Sequence, residues 1–152
     1  MDQKQVIELV KKIRGATGYS IGEIKIAVEK AEGDEKQAME LLKELGIKQM
    51  EKRAEKEVHQ GRVATYTHST GKIGVMVELL CETDFVAKNE EFVAVTRDLC
   101  LQIAAMNPAT VEELLEMDFI KDPSKKIKDL VTALVGKFGE NIKIGKMARF
   151  EI

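Results

Sequence analysis

The hydrophobic pattern of this chain changes at Gly61, and that change limits the folds that the sequence can adopt. Before Gly61 the apolar residues recur every three or four positions, as on one face of a helix. After it, residues 62–69 (RVATYTHS) and 72–81 (KIGVMVELLC) are rich in β-branched residues, and the second run alternates with the period of a strand. Because the two periods suit different structures, we expect a helical N-terminal part followed by a part that contains a sheet.

Residues 1–46 are predicted to form three short helices that pack as a bundle. Asp34 is the expected N-cap of the third helix, with Gln37 three residues later in a capping-box pattern. The glycines expected at helix ends are Gly15, Gly18, Gly33 and Gly46. The apolar stripes comprise Val6, Leu9, Val10 and Ile13; Ile21, Ile24, Ala27, Val28 and Ala31; and Ala38, Leu41, Leu42 and Leu45. Because the core of so small a bundle is thin, we expect it to be only marginally stable alone.

Residues 47–60 (IKQMEKRAEKEVHQ) are charged and helix-prone but carry no continuous apolar stripe. Arg53 and Glu57 lie four residues apart, a spacing that supports a solvated helix. We therefore predict a helical linker over residues 47–60, between the bundle and a second domain.

Residues 61–152 are predicted to form the second domain. The strand that ends at Cys81 is largely apolar on both faces, which indicates a central strand with helices on one side. The residues 140–152 (ENIKIGKMARFEI) keep strand phase in part, and Gly145 marks an expected bulge.

Two amphipathic helices complete this domain, one from Asn89 to about Met106 and one from Ile127 to near Gly136. One or two further helical turns are expected at residues 110–118 (TVEELLEMD). The predicted fold class is α+β: a three-helix bundle, a helical linker, and a small antiparallel sheet of about three strands packed against two long helices.

The charge balance argues against a dedicated nucleic-acid-binding protein. Lys and Arg total 24 against 26 Asp and Glu, a formal charge of -2, whereas such proteins normally carry a clustered basic excess. No apolar run reaches the roughly 18 residues that a membrane span requires. The N-terminus lacks the apolar stretch of a signal peptide, so we expect a cytoplasmic protein without a nucleic-acid or membrane partner.

Sequence patterns of catalysis are absent. The glycines form neither GxxxxGK[ST] nor GxGxxG after a strand, and the segment around Ser69 is a turn without a GxSxG context. Cys81 and Cys100 are expected to be core thiols, and His59 and His68 are too few to complete a zinc site. We therefore expect no covalent catalysis, no cofactor and no metal, and a function that resides in a surface.

The segment Thr83-Asp84-Phe85-Val86 (TDFV) stands between the central strand and the helix that follows it. It places a large apolar ring beside a carboxylate in a connection that should be exposed. From the pattern alone, the ring either folds back onto its own domain or is received by another molecule.

Four stretches, in order, resemble elongation factor Ts, the guanine-nucleotide exchange factor for elongation factor Tu. They are residues 10–18 (VKKIRGATG), 31–42 (AEGDEKQAMELL), 71–92 (GKIGVMVELLCETDFVAKNEEF) and 135–152 (VGKFGENIKIGKMARFEI). The TDFV segment between a strand and a helix is the most specific of these features. The resemblance implies that the N-terminal bundle has a ubiquitin-associated-like fold and that the protein acts in translation elongation.

The resemblance also implies roles for individual residues. Thr83, Asp84, Phe85 and Val86 would contact elongation factor Tu in its GDP form, where Asp84 and Phe85 reach the magnesium and nucleotide site and displace Mg²⁺. The R-x-x-T-G pattern of the family matches Arg14, Thr17 and Gly18, which are implied contacts of the bundle with the same partner.

The chain departs from the family in two places. After Met106 it soon reaches residues 117–131, so that several dozen helical residues of the usual core are missing, as in short-form members. Because family members with one core half commonly dimerise, a homodimer is a further expectation. Ala148 replaces a Cys of one short-form pattern, so no interchain disulfide is expected there.

The second departure is Tyr19-Ser20-Ile21, where small residues and paired methionines are usual in the family. This change weakens the assignment of the N-terminal contacts. It leaves an alternative to exchange activity: a divergent paralogue, or a ubiquitin-associated-type adaptor, that binds a partner without releasing its nucleotide.

Overall fold

The structure, a computed structural model, describes residues 2–152. Its helices are α1 (Gln3–Thr17), α2 (Ile21–Lys30), α3 (Glu35–Arg53), α4 (Asp84–Ala87), α5 (Glu90–Met106), α6 (Val111–Glu116) and α7 (Ile127–Phe138). Its strands are β1 (Gln60–Thr67), β2 (Ile73–Cys81), β3 (Asp118–Phe119), β4 (Asp122–Lys126) and β5 (Lys143–Glu151). The predicted α+β class is confirmed.

The chain packs as two compact units. The first comprises residues 2–54 with 132–140, and the second comprises 55–131 with 141–152. The second half of α7 therefore packs with the helices of the first unit, which adds a fourth helical segment to the predicted bundle. The division into domains at residues 46 and 60 stays a prediction.

The starts of the first three helices follow the capping chemistry of the sequence. Asp2 and Ser20 form reciprocal capping boxes at α1 and α2, and Asp34 accepts from the Gln37 amide at the start of α3, as predicted. Gly18 ends α1 in the left-handed region, with φ 74°. The buried core of these helices consists of Val10, Ile13, Tyr19, Ile24, Ala27, Val28, Ala31, Ala38 and Leu42.

The prediction that Gly46 ends the third helix is wrong, because α3 continues through it to Arg53. Gly46 instead permits a close approach: a Cβ atom there would lie 2.5 Å from the Tyr19 hydroxyl oxygen. The predicted helical linker over residues 47–60 is also wrong in part. Residues 47–53 are the last turns of α3, residues 54–59 are not helical, and β1 begins at Gln60.

Tyr19 lies between two glycines in the first unit. A Cβ at Gly136 in α7 would lie 2.0 Å from the Tyr19 hydroxyl oxygen, so neither Gly46 nor Gly136 can carry a side chain without movement. Tyr19 as a residue is only 4% exposed. Burial, with a smaller contribution from the Glu23 carboxylate, raises the pKa of Tyr19 above its ordinary value.

The sheet of the second unit has the strand order β1-β2-β5, and both pairs are antiparallel. The predicted central position of the strand that ends at Cys81 is confirmed. Helix α5 packs against β1 and β2. The core of this unit includes Val75, Val77, Leu79, Phe92, Leu99, Ile103, Leu114 and Ile127.

The bulge expected near Gly145 is confirmed by a shift in the pairing of β2 with β5. Val77 pairs with Met147 but Leu79 pairs with Ile144, so β5 has one extra residue opposite Glu78. The Glu78 carboxylate accepts from the Lys146 amide at 2.9 Å. A Cβ at Gly145 would lie 2.5 Å from that carboxylate, which explains the glycine at this position.

The short hairpin of β3 and β4 was not predicted, because its strands are brief and do not alternate in polarity. A buried side chain holds it: Gln102 of α5 donates to the Asp118 carbonyl and accepts from the Ile120 amide. The predicted turns at residues 110–118 correspond to α6 and the start of β3.

Candidate functional site

The candidate site is the connection between β2 and α5, residues 82–89, which we call the TDFV corner. Its centre is the single helical turn α4, and the Thr83 hydroxyl caps that turn by accepting from the Val86 amide at 3.4 Å. The Thr83 carbonyl accepts from the Ala87 amide at 3.2 Å and from the Cys81 thiol at 3.2 Å. The backbone of the corner is thus bonded to itself and to the end of β2.

Phe85 is the most exposed large side chain of this corner. Its residue is 90% exposed, whereas the next two residues, Val86 and Ala87, are buried in the second unit. The ring therefore does not fold back onto its own domain. Because Val86 is buried, its side chain anchors the corner and presents no surface of its own.

Asp84 lies beside Phe85 and forms an ion pair. Its carboxylate is 2.6 Å from the Lys88 ammonium, and both side chains are more than half exposed. The Asp84 carbonyl also accepts from the Lys88 amide, so these two residues close the α4 turn. Exposed pairs of this kind stabilise a fold by about 0–1 kcal/mol, which leaves the carboxylate able to exchange partners.

The other predicted contacts, Arg14, Thr17 and Gly18, belong to the first unit and lie at the end of α1. Arg14 is exposed, and its carbonyl accepts from the Gly18 amide at 2.8 Å. The Thr17 hydroxyl donates to the Ile13 carbonyl at 2.8 Å and is half-buried. Both Thr17 and Gly18 therefore take part in ending the helix.

Gly18 is partly covered by a side chain from α7. A Cβ atom at Gly18 would lie within 2.9 Å of the Cγ, Cδ and Cε atoms of Lys137. What the end of α1 offers to a partner is thus mainly the Arg14 side chain and the surrounding backbone.

A metal-ligand cluster and a membrane-spanning helix are both missing from residues 2–152. No group of three or more His, Cys, Asp or Glu side chains in this range could hold a metal ion. None of the helices within it is both long enough and apolar enough to cross a membrane. Cys81 and Cys100 are buried thiols, as predicted, and burial raises the pKa of Cys100 to about 11.

Comparison with known proteins identifies the family. The chain is 33% identical to Elongation factor Ts of Oleidesulfovibrio alaskensis (strain G20), over 95% of this chain and 96% of that protein. It is 35% identical to Elongation factor Ts of Thermodesulfovibrio yellowstonii, over 95% of this chain and 94% of that protein. It is also 35% identical to Elongation factor Ts of Leptospira biflexa, over 95% of this chain and 96% of that protein. The chain belongs to the elongation factor Ts family. The family's own sequence model, described as Elongation factor TS, matches residues 82–152 and so includes the whole TDFV corner.

The alignments also show that this chain is shorter than these relatives. The alignment with the Oleidesulfovibrio protein runs over 189 positions, whereas this chain has 152 residues. The difference between the two numbers means that at least 37 positions of the relative have no counterpart here. Membership of the elongation factor Ts family supports a role in translation elongation as a nucleotide-exchange factor for elongation factor Tu.

Sequence analysis missed three residues at or near the corner. Lys88, which pairs with Asp84, could have been found from its helical spacing of four residues. Glu82 and Asn141 are hydrogen-bonded across 59 residues of sequence, and no local pattern signals such a bond.

Proposed function

We propose that this protein is a guanine-nucleotide exchange factor that binds elongation factor Tu in its GDP form and promotes release of GDP by displacing Mg²⁺. The observation that carries the proposal is the 90% exposure of Phe85 on a short, hydrogen-bonded turn. An aromatic ring held in water has no stabilising role in its own unit, so its place is explained by a partner that buries it.

In this mechanism the Phe85 ring acts as a wedge that inserts into elongation factor Tu. Burying the Phe85 ring in elongation factor Tu contributes about 2–3 kcal/mol. That free energy offsets a small displacement of the groups that support Mg²⁺ and the phosphates of GDP. Because every 1.4 kcal/mol of lost nucleotide affinity is tenfold, 2–3 kcal/mol speeds GDP release by roughly 30- to 150-fold. No covalent bond is formed or broken, so the protein is not an enzyme of covalent chemistry.

The other residues of the corner support the wedge. Thr83 caps the α4 turn and Val86 anchors it, so the ring is presented with little conformational entropy left to lose on binding. The Asp84 carboxylate is exposed beside the ring and is positioned to accept a hydrogen bond from the partner or to repel its anionic groups. Arg14, with the backbone at Thr17 and Gly18, makes a second contact through the first unit.

Release of a fluorescent GDP analogue from elongation factor Tu tests this function. The wild-type protein should accelerate release, and Phe85→Ala should lose most of the acceleration while the protein stays folded. Ile120→Ala is the matched control, since it also truncates an exposed apolar residue of the second unit. This variant should accelerate GDP release from elongation factor Tu as strongly as wild type. Binding to elongation factor Tu without any acceleration by the wild type would instead support the adaptor or the divergent paralogue.

We also propose that the protein is a cytoplasmic homodimer. In the second unit, the sheet face opposite the buried Val75 and Val77 carries Met76 and Phe150, and Phe150 is 77% exposed. Val63 in β1 extends this apolar face. A second copy of the chain would bury it, and sedimentation equilibrium would detect the dimer. Phe150→Lys should then give a monomer, and a wild-type monomer at high concentration would refute this part.

A further inference from the structure

One buried residue of the second unit joins three segments of the chain. Asn141, which is 4% exposed, donates its backbone amide to Oε1 of Glu82 at 2.6 Å. Its side-chain Nδ2 donates to the Lys56 carbonyl at 2.7 Å. The segment that leads into β1, the segment that leaves β2 and the segment that leads into β5 therefore meet at Asn141. We call this set of bonds the Asn141 clamp.

The clamp lies at the end of the sheet from which the TDFV corner emerges. The last pairs of the sheet at this end join Cys81 to Gln60 and Leu80 to Lys143. Glu82 is the next residue after Cys81 and directly precedes Thr83, whose hydroxyl caps α4. Glu82 therefore connects the clamp directly to the start of the α4 turn.

The chemistry of the clamp suits a fixed position. A hydrogen bond that a carboxylate accepts is shorter and roughly twice as strong as one between neutral groups. Asn141 is buried, so removing the Glu82 carboxylate takes away a charge-assisted hydrogen bond and favours rearrangement of the neighbouring backbone. Because Phe85 lies three residues beyond Glu82, such a rearrangement would move the ring.

We infer that Glu82 and Asn141 are positioning residues for nucleotide exchange: they fix the direction of the TDFV corner so that Phe85 enters the partner in register. The inference rests on the proposed function, and neither residue has to touch the partner. Positioning affects the fastest rate of GDP release more than the concentration of factor that gives half of that rate, because the misdirected ring still docks but displaces less.

The test measures fluorescent GDP release from elongation factor Tu against the concentration of the factor. Glu82→Ala should lower the maximal rate about tenfold with a smaller change in the half-saturating concentration. Glu82→Gln keeps an oxygen that can accept from the Asn141 amide, so it should stay within about threefold of wild type. Asn141→Asp replaces the donor to Lys56 with an acceptor and should resemble Glu82→Ala. Circular dichroism and thermal unfolding establish that each variant is folded at the assay temperature.

Two further comparisons distinguish a failure of the positioning inference from a failure of the proposed exchange function. If Phe85→Ala accelerates GDP release as strongly as wild type, the proposed action of Phe85 is refuted. If Phe85→Ala gives slow release while folded Glu82→Ala gives the wild-type rate, the positioning role of the clamp is refuted. In the double variant, Glu82→Ala should add less than twofold to the effect of Phe85→Ala, since both act through one ring. Should Glu82→Ala not fold, Glu82→Asp withdraws the carboxylate by one methylene, and a wild-type rate for that variant would overturn the inference.

Discussion

The TDFV corner and the turn after α1 are both predicted partner contacts, yet their aromatic residues lie in opposite environments. Phe85 is almost fully exposed on a base of buried residues, whereas Tyr19 is buried between Gly46 and Gly136. The corner buries Val86 and Ala87 in the second unit, whereas the Phe85 ring stays exposed, where the proposed partner would bury it. The turn after α1 uses its ring to fill the first unit. An exposed ring indicates a partner surface, and a ring enclosed by glycines indicates a packing role.

The same substitution at the two aromatic positions gives the largest test of this contrast. Tyr19→Ala removes a buried ring and should lower the free energy of unfolding by about 3–5 kcal/mol. Phe85→Ala truncates an exposed ring and should change that free energy by no more than about 0.5 kcal/mol. Urea titration followed by circular dichroism measures both. Equal losses of stability in the two variants would contradict the comparison.

The glycines around Tyr19 provide the next largest effect. Gly136→Ala introduces a methyl group at 2.0 Å from the Tyr19 hydroxyl oxygen, and overpacking of this kind costs about 1–3 kcal/mol of unfolding free energy. Gly15→Ala is the control, because a Cβ at Gly15 meets no other atom within 4 Å in a helix where alanine is favoured. A Gly136→Ala protein as stable as wild type would show that the ring is not held between these glycines.

The pH dependence of stability provides a companion test of the buried phenol. The folded pKa of Tyr19 lies above that of the unfolded chain, so its neutral form stabilises the fold fully below the unfolded pKa of about 10. This contribution is lost as the pH rises from there through the folded pKa. The free energy of unfolding should therefore fall more steeply above pH 10 in wild type than in Tyr19→Phe, which has no phenol to ionise. Parallel curves for the two proteins would exclude the effect.

Local chemistry explains which parts of the fold could be predicted. Asp34 and Gly18 act through capping within a few residues, and Gly145 interrupts the alternation of residues 142–152, so the positions of all three were predicted correctly. Gly46 was misread because a glycine that ends a helix and a glycine that admits a distant ring look alike in sequence. The difference lies in Tyr19, 27 positions away.

The candidate site was likewise predicted in its local part only. The pattern placed Phe85 in a connection between a strand and a helix, but only the family resemblance favoured a ring that points away from its own domain. The burial of Val86 was not predicted, because Val86 was expected to contact the partner. The hairpin held by Gln102 and the Asn141 clamp depend on bonds between residues that are 16 to 85 positions apart. The spacing of residues in the sequence does not predict hydrogen bonds between positions so far apart.

The smallest expected effect concerns what Asp84 contributes beside the ring. If its charge acts on the partner, Asp84→Asn should slow GDP release as much as Asp84→Ala; if its oxygen only accepts a hydrogen bond, Asn should retain most of the rate. We expect the second result, since the Lys88 ammonium 2.6 Å away already neutralises much of the charge.

Lys88→Met removes the ion pair with Asp84, which stabilises the turn by at most about 1 kcal/mol, and the rate of GDP release should change less than fivefold. A loss of rate larger than fivefold in Lys88→Met, with the difference from wild type disappearing at high salt, would show that the ion pair itself orients the corner. The rigid base under Phe85 would then include this surface ion pair as well as the buried residues.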